Sequence, residues 1–146
     1  MPSLNNEFDR ELYSTYLSYV PEDDFSYELD IKHDNRGWFC EFIKSDTFGQ
    51  ISISKSKPGI IRGNHWHHTK SEKFLVVQGT ALVKLKRIYD DKITEYIVSS
   101  DMLNPIDIPV GYTHSIQNIG DDEMIILIWS NQQFNPDRPD TYFLEP

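Results

Sequence analysis

From Ile31 onward the chain is a succession of short segments rich in Ile, Val, Phe and Tyr, each bounded by Gly, Pro, Asn or Asp. Two of them, ISISKS and ALVKLK, alternate apolar and polar residues, as a strand with one buried face does. The sequence YDDK between two such segments is typical of a hairpin turn. Many short strands without intervening helices indicate an all-β sandwich or barrel and exclude a βαβ fold.

The first thirty residues have a different pattern. Phe8, Leu12, Tyr16 and Val20 are spaced four apart, acidic residues lie in the first turn, and Pro21 follows, which predicts an amphipathic helix. The acidic stretch after it is typical of a connector. We therefore expect a short helical segment and connector over residues 1–30 and one β domain over residues 31–146.

Composition narrows the class of protein. The 146 residues include 14 Lys and Arg and 23 Asp and Glu, for a net charge of −9, which argues against a nucleic-acid partner because such binding rests on neutralising phosphates. No apolar run reaches the length of a membrane span and no leader segment opens the sequence, so we expect a cytoplasmic protein without a membrane partner. Cys40 is the single cysteine, which excludes an intramolecular disulfide and a thiolate-only metal cluster.

The charge is unevenly distributed along the sequence. Between Lys55 and Lys92 there are nine basic and three acidic residues, so this stretch carries +6 and the remainder −15. A basic centre in an acidic chain favours an anionic small molecule as ligand. A lysine-rich strand surface without a ligand is the alternative.

Two segments contain the residues with the clearest chemistry. His65 and His67 are two apart, Glu72 opens the next apolar segment, and His114 lies on a later one. Residues two apart on a strand face the same way, so a barrel would bring the four side chains to one interior point. Imidazole and carboxylate ligands suit Zn, Fe, Mn, Ni or Cu. The pattern has no thiolate ligand that would favour one of these metals. Core histidines with satisfied hydrogen bonds are the alternative.

The same segments, GIIRGNHWHHTKSEKFLVVQG and PVGYTHSIQN, resemble the two signature motifs of the cupin superfamily, including the glycines Gly59, Gly79 and Gly111. The second motif departs at its leading glycine, where this chain has Leu103. The resemblance implies an all-β fold, a cupin (jelly-roll type) β-barrel, with the four side chains above as metal ligands.

The resemblance is closer to one family. The C-terminal cupin domain of CapF-type capsular polysaccharide enzymes is similar to this chain in ISKSKPGIIRGNHWHHTKSEKFLVVQG, DIPVGYTHSIQNIGD and FNPDRPDTYFLEP. The segment that joins that domain to a short-chain reductase resembles LYSTYLSYVPEDDFSY. The likeness implies an isomerase with zinc as its cofactor, a C3 epimerase of UDP-2-acetamido-2,6-dideoxy-4-keto-hexose in UDP-N-acetyl-L-fucosamine biosynthesis. The reductase half has no counterpart here, since the chain lacks a G-x-G-x-x-G loop and a Tyr-x-x-x-Lys pair.

Other functions remain open at this point. A 3,4-ketoisomerase of a nucleotide sugar shares the proton abstraction but moves the carbonyl. A non-catalytic, zinc-stabilised cupin that dimerises or supports a reductase partner uses the same ligands to hold the fold. An iron dioxygenase fits the ligand set, but the basic residues around it do not suggest an uncharged substrate.

The catalytic residues depend on what His65 does. In metal-free sugar epimerases of related folds, the histidine of an RG-x-H motif at this position is the base, whereas a metal-bound imidazole is unsuited to that role. If His65 binds metal, Tyr112 and Lys73 are the candidates for proton transfer. A packed barrel aromatic and a surface lysine are the respective alternatives.

The expected substrate contacts lie before and inside the first motif. Arg62 suits a diphosphate because its planar fork matches phosphate oxygens, and Lys55 can assist it. Gln50, Ser52 and Ser54 alternate with isoleucines and are expected to bind sugar hydroxyls, the alternative being an exposed polar face. The expected partners are a UDP-activated 4-keto-6-deoxy-amino sugar, a second copy of the chain in a homodimer, and a short-chain reductase domain or protein.

Overall fold

The structure, a computed structural model, describes residues 2–146. Within this range helix α1 (Glu7–Ser18) and a 3-10 turn (Glu22–Asp24) come first. Eleven strands follow: β1 (Ile31–Asp34), β2 (Gly37–Ser45), β3 (Gly49–Ser56), β4 (Ile61–Trp66), β5 (Glu72–Gln78), β6 (Thr80–Arg87), β7 (Ile93–Ser99), β8 (Ile106–Ile108), β9 (Tyr112–Asn118), β10 (Met124–Ser130) and β11 (Tyr142–Phe143).

The strands form two antiparallel sheets. One has six strands in the order β1-β2-β3-β10-β5-β8, and the other has five in the order β11-β4-β9-β6-β7. Strands distant in sequence are therefore neighbours in space, such as β3 with β10 and β4 with β9. This is a jelly-roll arrangement, and it confirms the all-β barrel with a short N-terminal helix that the sequence predicts.

Helix α1 begins where the sequence predicts it. The side chain of Asn6 accepts a hydrogen bond from the N–H of Asp9 at 2.9 Å, an N-cap that satisfies one of the free amides of the first turn. None of the helix residues is buried, and Phe8 is 70% exposed. Its apolar stripe therefore does not pack on the barrel.

The interior has an apolar part and a polar part. The apolar core is built from Phe74, Val76, Ala81, Val83, Leu85, Val98, Ile108, Ile116, Met124 and Ile126. Strand β3 instead turns Gln50, Ser52, Ser54 and Ser56 inward, all of them buried. Small polar side chains leave space where branched apolar ones would fill it, and a cavity lies on this side of the barrel.

Leu103, where this chain departs from the second motif, lies between β7 and β8. Leu103 has φ 48°, the left-handed conformation that glycine adopts without steric cost. The loop therefore has the backbone that the motif glycine would favour. Two short strands, β1 and β11, are not separable from turns in the sequence because each is too short to show a period.

Candidate metal centre and its cavity

A bulge in β4 sets the direction of His65. Gly63 and Asn64 have φ 93° and 58°, and the pairing of β4 with β9 shifts register between Gly63 and His65. A Cβ on Gly63 would lie 2.6 Å from the carbonyl oxygen of His114, so only glycine lets the two strands approach this closely. The bulge brings His65 directly opposite His114.

His67 lies one residue beyond the end of β4, so the expectation that both histidines belong to one strand is corrected. Its Nδ1 bonds to the carbonyl oxygen of Asp140 at 2.5 Å. The carboxylate of Asp140 accepts hydrogen bonds from the backbone N–H groups of His68, Thr69 and Lys70. Burial raises the pKa of the Asp140 carboxyl, but these hydrogen bonds lower it by more, so it stays ionised and holds the turn that carries His67.

The four predicted ligands come together at one point. One ligand atom from each of His65, His67, Glu72 and His114 lies within 4.8 Å of the others. Oε2 of Glu72 is 3.2 Å from Nε2 of His114 and 3.5 Å from Nε2 of His67. His67 and His114 are buried, and the Glu72 side chain is 10% exposed.

The hydrogen bonds of the three imidazoles set their tautomers. Each Nδ1 faces a backbone carbonyl: Gly63 for His65, Asp140 for His67 and Tyr112 for His114. A carbonyl only accepts, so each Nδ1 carries the proton and each Nε2 keeps its lone pair. A metal-binding histidine usually donates its other ring N–H to a carbonyl or carboxylate in this way.

Three polar atoms of the metal centre have no hydrogen-bond partner. Nε2 of His67, Oε2 of Glu72 and Nε2 of His114 are buried without a hydrogen-bond partner. Three acceptor atoms facing one another are costly unless a cation lies among them. The residues therefore fit a divalent metal such as zinc, while iron, manganese and nickel suit the same nitrogen and oxygen donors.

Two pKa shifts agree with this donor set. Burial, followed by the neighbouring His114, lowers the pKa of His65 to about 4, so its imidazole is neutral at neutral pH. Burial raises the pKa of the Glu72 carboxyl. Hydrogen bonds from His114 and His67, which require a proton on Nε2, lower it by more, and a metal cation at the same point would act in place of those protons. A neutral imidazole and an ionised carboxylate are the forms that bind metals.

A cavity of about 390 Å³ opens onto this centre. His65, Glu72 and His114 line it, and His67 lies behind them. Its lining is part apolar, with Phe74, Ile116, Ile126 and Ile128, and part polar, with Gln50, Ser52, Ser54 and Ser130. An apolar pocket with a few placed polar groups is typical of a small-molecule site.

The structure places four of the five expected substrate residues on this cavity. Gln50, Ser52 and Ser54 line it, and Nε2 of Gln50 donates to Oγ of Ser52 at 2.9 Å. Arg62 also lines it, with its Nε donating to Oγ of Ser56 at 2.8 Å. Burial lowers the pKa of the Arg62 guanidinium from a very high value, so Arg62 remains a cation.

Lys55, the fifth, is not at the cavity. It follows Ser54 on the opposite face of β3, and its Nζ pairs with Glu123 at 2.7 Å. Only its backbone participates, because its carbonyl oxygen accepts from Arg62 at 3.2 Å. The expectation that its side chain assists Arg62 is corrected.

The two proposed proton-transfer residues outside the ligand set are also elsewhere. Tyr112 packs against the apolar core, and its hydroxyl accepts from Nε of Arg87 at 2.6 Å. Lys73 follows the inward-facing Glu72, so it points outward and pairs with Asp107. Neither residue lines the cavity, and the alternatives of a packed aromatic and a surface lysine describe their positions.

Four ionisable residues that were not expected from the sequence also line the cavity: Lys32, Arg36, Glu41 and Lys70. Lys70 places Nζ 3.8 Å from Oε1 of Glu72, with its side chain 13% exposed. Glu41 faces inward from β2 and pairs with Lys44. The only sequence signal for Lys70 was its place two residues before a ligand, and a register shift beside Glu41 hides its direction from a simple alternation.

Comparison with known proteins identifies the family. The model of the polysaccharide biosynthesis C-terminal domain matches residues 32–142. This chain belongs to that family. The predicted resemblance to CapF-type C-terminal domains is thereby confirmed.

Relatives of this family member include larger proteins. A UDP-2-acetamido-2,6-beta-L-arabino-hexul-4-ose reductase of Pseudomonas aeruginosa is 42% identical over 133 residues, which cover 91% of this chain and 36% of that protein. The capsular polysaccharide assembling protein CapF of Staphylococcus aureus superposes with a TM-score of 0.94 at 56% identity, covering 100% of this chain and 43% of that one. The chain thus spans less than half the length of both.

Two further matches are a relative of similar length and a solved structure with the same fold. Spore coat polysaccharide biosynthesis protein SpsL of Bacillus subtilis is 32% identical over 121 residues, which cover 75% of this chain and 80% of that protein. The cupin domain of Drosophila melanogaster CENP-C has a TM-score of 0.60 at 19% identity, a likeness that shows the fold alone. The barrel is a cupin fold.

Proposed function

We propose that this chain is a metal-containing cupin that epimerises C3 of a UDP-2-acetamido-2,6-dideoxy-4-keto-hexose in capsular polysaccharide biosynthesis. The observation that carries the proposal is the cluster of three histidines and one glutamate at a cavity that also holds inward-facing serines and a buried arginine. A nucleotide sugar needs these three features, since it presents a carbonyl, hydroxyl groups and a diphosphate.

The names of the relatives support this substrate class. One acts on a UDP-linked 4-keto-6-deoxy sugar, and another assembles capsular polysaccharide. A ketone at C4 acidifies the hydrogen on C3, so inversion at C3 is chemistry that such a substrate permits. Zinc is the metal we propose, and the protein operates with a short-chain reductase as domain or partner.

Epimerisation requires a base for the C3 proton, a cationic group near the C4 oxygen, and an acid on the opposite face. A divalent metal, when bound, supplies Lewis acidity toward that oxygen. The side chains around it orient the sugar: Gln50, Ser52 and Ser54 offer hydrogen bonds to its hydroxyls, and Arg62 offers its guanidinium to the diphosphate.

Proton transfer falls to ionisable groups that line the cavity. Because Tyr112 and Lys73 lie elsewhere, we assign it to Lys70 and Glu41 when His65 is bound to metal. His65 itself is the base if it does not bind metal. Its neutral imidazole faces the cavity, as that role requires.

The test is deuterium exchange. The metal-loaded chain is incubated with the UDP-4-keto-6-deoxy-N-acetyl sugar in deuterated water, and the products are followed by NMR. We expect deuterium at C3 with the carbonyl still at C4. A carbonyl at C3 would instead indicate a 3,4-ketoisomerase, and binding without exchange would indicate a non-catalytic module; either result would overturn the proposal.

Variants identify the proton-transfer groups. We expect Lys70→Met or Glu41→Gln to lower the exchange rate about 100-fold or more, the usual contribution of a general acid or base. The matched control is Lys84→Met, because Lys84 does not line the cavity. Its Nζ pairs with Oε1 of Glu95 at 2.9 Å. If neither variant slows exchange while His65→Gln abolishes it with metal retained, His65 is the base.

A further inference from the structure

The end of the cavity opposite the metal centre is cationic. Lys32 and Arg36, from the hairpin of β1 and β2, line the cavity together with Arg62 of β4. Of these three residues only Arg62 was expected from the sequence, because the two hairpin residues precede the basic central stretch. All three are positively charged, and Asp34 is the acidic side chain that pairs with two of them.

Strand register gives the distance between the two ends. Gln50, Ser130 and Glu72 are paired in one row across β3, β10 and β5, which places this row at the metal centre. Four residues further along β3, Ser54 is paired with Phe39, and Phe39 with Lys32. At roughly 3.3 Å per residue, the two rows are about 13 Å apart. The inward-facing serines lie between them.

The hairpin is anchored in place by its backbone. A Cβ on Gly37 would lie 2.0 Å from the carbonyl oxygen of Lys55, at φ 148°, so the hairpin approaches β3 as only glycine allows. The N–H of Lys57 also donates to the carbonyl oxygen of Arg36 at 2.9 Å. Arg36 therefore starts from a fixed backbone position although its side chain is exposed.

The two guanidiniums are held close together. Asp34 accepts from Nε of Arg36 at 2.8 Å and lies 3.9 Å from Nη2 of Arg62. Burial and then the charge of Arg36 lower the pKa of Arg62, the direction that a neighbouring cation gives. Like charges at a cavity mouth attract an anion, and guanidinium forks suit phosphate oxygens.

We propose that Lys32 and Arg36 bind the diphosphate of a nucleotide sugar together with Arg62, and so set which end of the substrate reaches the metal centre. The inference rests on the proposed function and adds the direction in which the nucleotide sugar lies in the cavity. With the diphosphate at the cationic row, the sugar extends along the serines of β3 toward His65, Glu72 and His114. The nucleoside then lies outside the hairpin.

The probe is UDP, with uridine as its uncharged counterpart, titrated calorimetrically into the full chain. We expect Arg36→Met and Lys32→Met each to raise the Kd of UDP about tenfold or more, as the loss of one charge-assisted contact does. The affinity for uridine should not change. The difference between Arg36→Met and wild type should shrink at high salt, because exposed charges are screened.

Two controls locate the effect. Lys92→Met removes an exposed charge from the turn between β6 and β7 and should leave the Kd of UDP unchanged. Arg138→Met removes a cation from a second cavity of about 530 Å³ and should also leave it unchanged. Arg36 is 49% exposed, so Arg36→Met should melt at the wild-type temperature. Lys32→Met tests the same effect on UDP binding independently.

The proposal is overturned if wild type does not bind UDP, if both hairpin variants bind it as wild type does, or if Arg138→Met weakens binding instead. These results are separable from the proposed function. Deuterium exchange at C3 with an unchanged KM in Arg36→Met would remove the inference and leave the epimerase. Arg36-dependent UDP binding without exchange would do the reverse.

Discussion

At the scale of single residues, backbone conformation aims the metal centre. Gly63 allows β4 to approach β9 so closely that His65 faces His114. Three backbone carbonyls then fix the imidazoles, from Gly63, Asp140 and Tyr112. The ligands are therefore oriented by main-chain atoms.

Gly63 and Gly59 form a matched pair for testing the close approach of β4 to β9. Both have positive φ, but a Cβ on Gly59 meets nothing within 4 Å whereas one on Gly63 meets the His114 carbonyl. We expect Gly59→Ala to lower the free energy of unfolding by about 1 kcal/mol, and Gly63→Ala by about 1–3 kcal/mol more through overpacking. Urea unfolding measures the difference. Equal losses in the two variants would contradict the role given to Gly63.

Residue types and spacing were enough to predict the ligand set but not the acid and base. His65, His67, Glu72 and His114 follow a spaced pattern that a barrel brings together. Tyr112 shares a face with His114, yet its ring packs against the apolar core and its hydroxyl accepts a hydrogen bond from Arg87. How deep a side chain lies along a barrel depends on the closed sheet, which the alternation of one strand does not reveal.

At the scale of elements, the segment before β11 supports the metal centre from outside the two motifs. β11 pairs with β4, placing Phe143 opposite His65. Asp140 bonds through its carbonyl oxygen to His67 and through its carboxylate to the turn after it. Asp140 has φ 44°, a backbone state that the sequence did not indicate, so this support was not predictable.

Asp140→Ala tests that support. Several amides would lose a charged acceptor, and one such hydrogen bond contributes about 1.5–3 kcal/mol, so we expect about 2 kcal/mol of lost stability. Metal affinity should fall about tenfold, since the carbonyl oxygen that orients the His67 ring is displaced. Denaturant unfolding and metal titration measure the two effects. The control is Asp137→Ala on the same segment. Similar losses of stability and metal affinity in that variant would contradict a specific role for the hydrogen bonds of Asp140.

At the scale of the whole molecule, the barrel is complete while the chain spans 36% and 43% of two larger relatives. The antiparallel sheets close a core and a cavity from β1–β11 alone. Within residues 2–146, no helix has the length and hydropathy to span a membrane. Fold class was predictable because strand alternation and turn residues recur along the chain, whereas the two-residue β11 depends on pairing that forms only in three dimensions.

The homodimer stays a prediction. Strand β7 is the edge of its sheet and exposes apolar side chains, with Ile97 66% and Tyr96 42% exposed. An exposed apolar edge favours pairing with a second copy. Light scattering should give twice the chain mass for wild type and the single mass for Ile97→Lys. A monomeric wild type would contradict the prediction.

The proposed chemistry requires one metal ion bound by the four converging side chains. Elemental analysis of dialysed protein measures this most directly, with adjacent histidines as a matched pair: His67 points to the centre, and His68 packs against Trp66 and Tyr142. We predict one equivalent of divalent metal per chain in wild type and His68→Ala, and loss of most of it in His67→Ala. Full metal content in His67→Ala, or none in wild type reconstituted with zinc, would contradict the account.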